Sequence, residues 1–87
     1  MPINRREFEV GKLDPALFIL EFLKFNADTA YSLRELLVEL TSQGLDLSEE
    51  DLQNILTSLE ARGRIESMTR KGVVYYIYRK LKLGFRP

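Results

Sequence analysis

Two consecutive segments repeat the same helix pattern, and three residues separate them. In the first, Ser32 and Glu35 form a capping box before a leucine stripe, and Gly44 follows the stripe. The second begins at the capping serine Ser48 and ends at Gly63. Two short amphipathic helices joined by so tight a turn predict a helix-turn-helix. The apolar residues fall at i, i+3, i+4 and i+7, namely Leu33, Leu36, Leu37 and Leu40, then Leu52, Ile55, Leu56 and Leu59.

A further helix is predicted upstream, from Pro15 to Phe25. Asp14 supplies an N-cap, and proline is well tolerated at the first helical position because its missing N–H has no partner there. Only Glu21 and Lys24 are polar in the last nine positions. This helix is more apolar than one buried face requires.

After Gly63 the apolar period changes to two. Segments 65–69 and 73–79 flank Arg70-Lys71-Gly72, which predicts a hairpin with a basic tip. A short extended piece is expected at 30–31, and residues 81–87 also alternate like a strand. The predicted fold class is α+β, mainly α: three helices and a wing sheet of two to three strands. We expect one domain over 1–87, with a core at about 15–79 and terminal arms at 1–13 and 80–87.

Both faces of the last wing strand, 73–78, carry apolar side chains, although a wing normally buries only one. We expect its tyrosines to pack against the helices with their hydroxyls reaching water. Together with the apolar first helix, the strand predicts a second covered surface. Either of two partners accounts for this surface. One is a second copy of the chain in a homodimer. The other is the pair of terminal segments, with their apolar residues Phe8, Val10, Leu81, Leu83 and Phe85.

The residue inventory argues against an enzyme. Histidine and cysteine are absent, and no nucleophile elbow or P-loop occurs. The consecutive acids Glu49, Glu50 and Asp51 point in different directions on a helix and make a poor metal site. We therefore expect no catalytic residue, metal or cofactor. Without an apolar run long enough for a membrane or a signal peptide, the expectation is a soluble cytoplasmic protein.

Charge is unevenly distributed along the chain, although its net value is zero. Residues 46–60 hold five acidic and no basic residues, whereas 61–87 hold eight basic residues and Glu66 alone, giving +7. Only the C-terminal third offers an electrostatic footprint for a polyanion. The zero total favours a protein partner, because nucleic-acid binders are usually basic.

The stretch 52–66 resembles the third helix and first wing strand of MarR-like and ArsR-like transcriptional regulators. The shared pattern is a leucine, an acid, a base, a glycine and an aliphatic residue, here Leu59 to Ile65. Residues 72–76 resemble the second wing strand of the same families. The resemblance covers about 15–79 and implies a winged helix-turn-helix.

In such families the third helix enters the major groove and the wing contacts phosphate. The resemblance thus implies duplex DNA as partner and a regulator of transcription as the leading hypothesis. The alternative is a winged helix that docks onto another protein in a larger assembly, favoured by the acids that begin the third helix. The implied groove-facing residues are Glu50, Gln53, Asn54, Thr57 and Ser58. Arg70 and Lys71 are the candidate phosphate contacts, with solubility of the hairpin tip as their other role. The further candidate DNA contacts Arg34, Arg62 and Arg64 are equally consistent with surface ion pairs.

Overall fold

A computed structural model describes residues 2, 4, 5 and 14–80. The expectations placed on Phe8, Val10 and 81–87 lie outside these residues. Within residues 14–80, three helices and three short strands follow one another. They are α1 (Pro15–Phe25), β1 (Tyr31–Ser32), α2 (Leu33–Ser42), α3 (Glu49–Ala61), β2 (Ile65–Arg70) and β3 (Val73–Tyr78).

The predicted caps begin all three helices. Asp14 Oδ1 accepts a hydrogen bond of 3.0 Å from the Ala16 N–H at the start of α1. At α2 the capping box is complete, because Ser32 and Glu35 each accept the other's backbone N–H. Ser48 Oγ accepts from the N–H of Asp51, at 3.1 Å, to cap α3. Each bond satisfies a helix donor that would otherwise lack a partner.

Glycines with positive φ end α2 and α3, as the sequence predicts. Gly44 has φ 97° and Gly63 has φ 73°. Behind Gly44, the Leu45 N–H donates to the Leu40 carbonyl at 2.9 Å, and the same bond recurs after α3 at 3.0 Å. Both ends are Schellman motifs, in which glycine avoids the steric cost of the left-handed conformation.

The leucine stripes meet in a single core. Tyr31 also packs its ring against Phe22, with 5.4 Å between centroids. Leu33, Leu37 and Ile55 are partly buried at the core's edge. The buried core residues are Ile19, Leu20, Phe22, Leu23, Leu36, Leu40, Leu45, Leu52, Leu56, Leu59, Ile65 and Tyr76.

The wing is a three-stranded antiparallel sheet in the order β1-β3-β2. Lys71 and Gly72 form its two-residue hairpin loop, with φ 53° and 78°, as a type I′ turn requires. The predicted limits shift slightly: β2 extends to Arg70 and β3 stops at Tyr78. The extended piece expected at 30–31 is a strand at 31–32, since Ser32 pairs with Tyr75 before it caps α2.

The two faces of the sheet differ in burial. Tyr76, on the inner face, is only 5% exposed, and its strand partner Ser67 is half-buried. On the outer face, Met68 is 57% exposed beside the half-buried Tyr75. On α1, Phe25 is 86% exposed. The apolar excess predicted for α1 and the wing is therefore visible as exposed apolar side chains.

We expect Leu36→Ala or Leu56→Ala to lower the free energy of unfolding by about 2–5 kcal/mol, because each side chain is completely buried. Val38→Ala, on the exposed side of α2, is the matched control and should change stability by about 0.5 kcal/mol or less. Urea denaturation followed by circular dichroism measures all three. Equal effects at the buried and exposed positions would contradict the core assignment.

Candidate nucleic-acid interface

One face of α3 is polar and open to solvent. The helix buries Leu52, Leu56 and Leu59, and the face opposite these leucines points away from the core. Asn54, Thr57 and Ser58, which sequence analysis places in the DNA groove, are all exposed there. Their amide and hydroxyl groups are of the type that hydrogen-bonds to base edges and phosphates.

Gln53 has a different environment from these three residues. It is half-buried, and its Nε2 donates to the hydroxyl of Tyr76 at 2.9 Å and to Thr57 Oγ1 at 3.3 Å. A bidentate pair with adenine needs an amide N–H as well as the carbonyl. Both N–H groups already have partners within the domain. Base recognition by Gln53 stays a prediction, and it would require one of these bonds to break.

The Gln53–Tyr76 hydrogen bond joins α3 to the wing. Tyr76 is nearly fully buried, and its hydroxyl needs a partner because an unsatisfied buried polar group costs about 1–3 kcal/mol. The sequence predicts that the tyrosine hydroxyls reach water, and the structure adds a protein partner, Gln53, for the hydroxyl of Tyr76. The two residues are 23 positions apart, and no local pattern in the sequence signals their contact.

A groove of about 550 Å³ separates the start of α2 from the end of the hairpin. Arg34 lines one side and Gln53 lies between the helices and the wing. Residues 72–76 of the wing form the other side. The fold thus brings three regions that are distant in sequence around one groove, next to the polar face of α3.

The first turn of α3, close to Arg34, consists of acidic residues. Glu49 Oε2 lies 3.8 Å from Arg34 Nη2, and both side chains are more than half exposed. Such a surface ion pair contributes about 1 kcal/mol at most. Glu50 and Asp51 are exposed beside it, so negative charge borders the groove where Arg34 lies.

The predicted basic residues divide between two places. Arg70 and Lys71 stand exposed at the wing tip, which we define as residues 70–72. Arg62 and Arg64 lie beside the start of α1, around a hollow that Asp14 also lines. A six-residue strand at about 3.3 Å per residue puts roughly 17–20 Å between the two pairs.

Two further basic residues lie away from the tip. A Cβ added to Gly63 would come within 3.3 Å of Arg79 Nη1, so that guanidinium lies beside Arg62 and Arg64. We call Arg62, Arg64 and Arg79 the wing base. Lys80 Nζ bonds Asp28 Oδ1 at 2.7 Å, and this hydrogen bond and charge lower the pKa of Asp28.

Comparisons of the chain identify its fold. No protein-family model and no curated protein sequence matches it. A structure of HOP2, from work on that protein's DNA recognition and protein interaction domains, matches with a TM-score of 0.66 and 20% identity, over 74% of this chain and 97% of the other. The ferric uptake regulator of Francisella tularensis, with iron, matches with a TM-score of 0.69 and 22% identity. That match covers 76% of this chain and 51% of the regulator.

These similarities, the helix order and the three-stranded sheet define a winged-helix domain. The fold class predicted from the sequence is confirmed. Among residues 2, 4, 5 and 14–80, no helix has the length and apolar character needed to cross a bilayer.

Tyr76→Phe should destabilise the domain by about 0.5–1.5 kcal/mol, since it removes the hydrogen bond between the half-buried Gln53 amide and the tyrosine hydroxyl. Tyr75→Phe, the matched control on the other face of β3, should have a smaller effect. A double-mutant cycle with Gln53→Ala, measured by urea denaturation, isolates the coupling between the two side chains. A coupling energy near zero would contradict a stabilising link between α3 and the wing.

Proposed function

We propose that this domain binds duplex DNA, with the polar face of α3 toward the major groove. Arg34 on one side and the wing tip on the other contact phosphates. The observation that carries the proposal is the groove, which Arg34 and residues 72–76 line beside α3. Arg70 and Lys71 precede Gly72 at the wing tip, and the exposed side chains of Asn54, Thr57 and Ser58 follow Gln53 along α3. The HOP2 similarity supports it, because DNA recognition is named for that protein.

Few cations take part in this binding mode. Among residues 2, 4, 5 and 14–80, Arg34, Arg70 and Lys71 are the basic residues that lie near the groove, while the wing base lies at the far end of β2. Each phosphate contact adds about 0.9 to the slope of log affinity against log salt. We therefore expect a slope of about three or less, and binding that weakens at high ionic strength.

Base recognition rests mainly on Asn54 in this proposal. Its side chain is exposed, and its carbonyl and amide form the pair of groups that matches adenine. Thr57 and Ser58 add contacts to bases or phosphates. We further propose that the chain acts without catalysis, as a cytoplasmic regulator of transcription that pairs two copies to read two half-sites.

A second candidate function is docking onto another protein through α1. Phe25 is 86% exposed and Leu17 is 48% exposed. With Phe18 and Phe22 they line an apolar hollow of about 340 Å³. Exposed apolar clusters of this kind are typical of interaction sites. This face is separate from the polar face of α3, so failure of DNA binding would leave it as the leading function.

Removing both tip charges (Arg70→Ala with Lys71→Ala) should weaken binding to random duplex several-fold and lower the salt slope by up to about two. Arg62→Ala with Arg64→Ala removes the same charge at the wing base and is the matched control. Fluorescence anisotropy at several salt concentrations measures both. Equal losses of affinity in the tip variant and the wing-base variant would mean that DNA does not lie at the wing tip. A wild-type protein that does not bind duplex at low salt would refute the proposal.

Neutralising the acids that begin α3 (Glu49→Gln, Glu50→Gln and Asp51→Asn) should tighten binding to random duplex. The change removes repulsion of phosphate and frees Arg34 from its partner Glu49. Glu21→Gln with Glu39→Gln and Asp46→Asn removes the same three charges at other exposed positions and controls for net charge. If the triple variant shows no gain beyond the control, α3 does not approach DNA.

A further inference from the structure

We propose that β2 is a dimerisation strand, and that its free edge pairs antiparallel with the β2 of a second copy of this chain. β3 lies on one side of β2, and among the described residues no strand lies on the other. An open edge exposes unpaired N–H and C=O groups that readily accept another strand. The proposal concerns how two copies meet and does not depend on DNA binding.

The hairpin determines which backbone groups of β2 face outward. In its two-residue turn, Arg70 and Val73 form the hydrogen-bonded closing pair. Hydrogen-bonded and non-bonded pairs then alternate along the ladder. The bond from the Arg79 N–H to the Arg64 carbonyl, at 3.3 Å, follows the same alternation. The N–H and C=O of Ser67 and Thr69 therefore point away from β3, toward the free edge.

A two-fold axis at Met68 makes this edge complementary to itself. Ser67 of one copy then exchanges hydrogen bonds with Thr69 of the other, on both sides of the axis. In the same register Glu66 of each copy stands opposite Arg70 of the other copy, which gives two pairs of opposite charge. Both side chains are exposed on the outer face of the sheet, where this pairing needs them.

Neighbouring registers lack this complementarity. An axis at Ser67 places Glu66 opposite Met68, and an axis at Thr69 places it opposite Gly72. Only the axis at Met68 pairs both charges and brings the two Met68 side chains together. Met68 is 57% exposed in one copy, and this contact covers it. The opposite charges of Glu66 and Arg70 and the contact between the two Met68 side chains thus favour a second copy of the chain as the partner of β2.

The contact is small, so the dimer should depend on concentration. Six-residue strands bury much less than the roughly 1,200 Å² typical of stable interfaces. The antiparallel arrangement also brings the wing base of one copy toward the wing tip of the other. Those like charges repel, which makes association weaker still at low ionic strength.

The test is a charge swap across the two-fold axis. Sedimentation equilibrium without DNA, over about 10 μM to 1 mM protein, gives the dimer dissociation constant. Glu66→Arg alone or Arg70→Glu alone places like charges opposite each other twice and should raise that constant at least about tenfold. The double variant restores opposite charges and should return it to near the wild-type value. Thermal denaturation shows whether each variant keeps its fold.

Three results would overturn the proposal. One is a wild type that stays monomeric to about 1 mM, and another is single variants that dimerise as well as the wild type. The third is a double variant no better than the singles. Because no DNA is present, these outcomes are independent of the DNA proposal. A dimer that survives both single reversals would place the interface elsewhere, such as the apolar face of α1.

Discussion

Burial of the Tyr76 side chain controls the arrangement of the whole groove. Its ring belongs to the core, yet its hydroxyl must keep a hydrogen-bond partner. Gln53 supplies that partner from α3, so the wing and the helix that faces the groove are fixed to each other. The same bond keeps the Gln53 amide half-buried, unlike the exposed side chains of Asn54, Thr57 and Ser58. A base contact by Gln53, as the sequence predicts, would have to replace a hydrogen bond that holds α3 and the wing together.

Net charge gives a poor account of this domain's electrostatics. The C-terminal third is strongly basic along the sequence. In the fold, the strands of the hairpin keep its basic residues in two groups, one at each end. Arg70 and Lys71 stand at one end, and the wing base stands at the other. Acids at the start of α3 lie near Arg34 instead. The part of the surface that the structure describes therefore carries small patches of either sign.

The helices and turns were predictable because their signals are local. Ser32, Ser48, Gly44 and Gly63 act on backbone groups only a few residues away, and all four do what the sequence indicates. The site was less predictable, because it depends on which residues meet across the fold. The contact of Gln53 with Tyr76 has no local signature. Likewise, the separation of Arg62 and Arg64 from the tip follows from strand direction, which charge counts along the sequence do not contain.

The shortness of β1 limits how far this sheet can grow. β1 contributes two residues, and the second, Ser32, already belongs to the cap of α2. So brief a strand offers little backbone for another chain to pair with. Because Ser32 turns the chain into α2 at this point, a strand added along β1 would find only two residues of backbone to pair with.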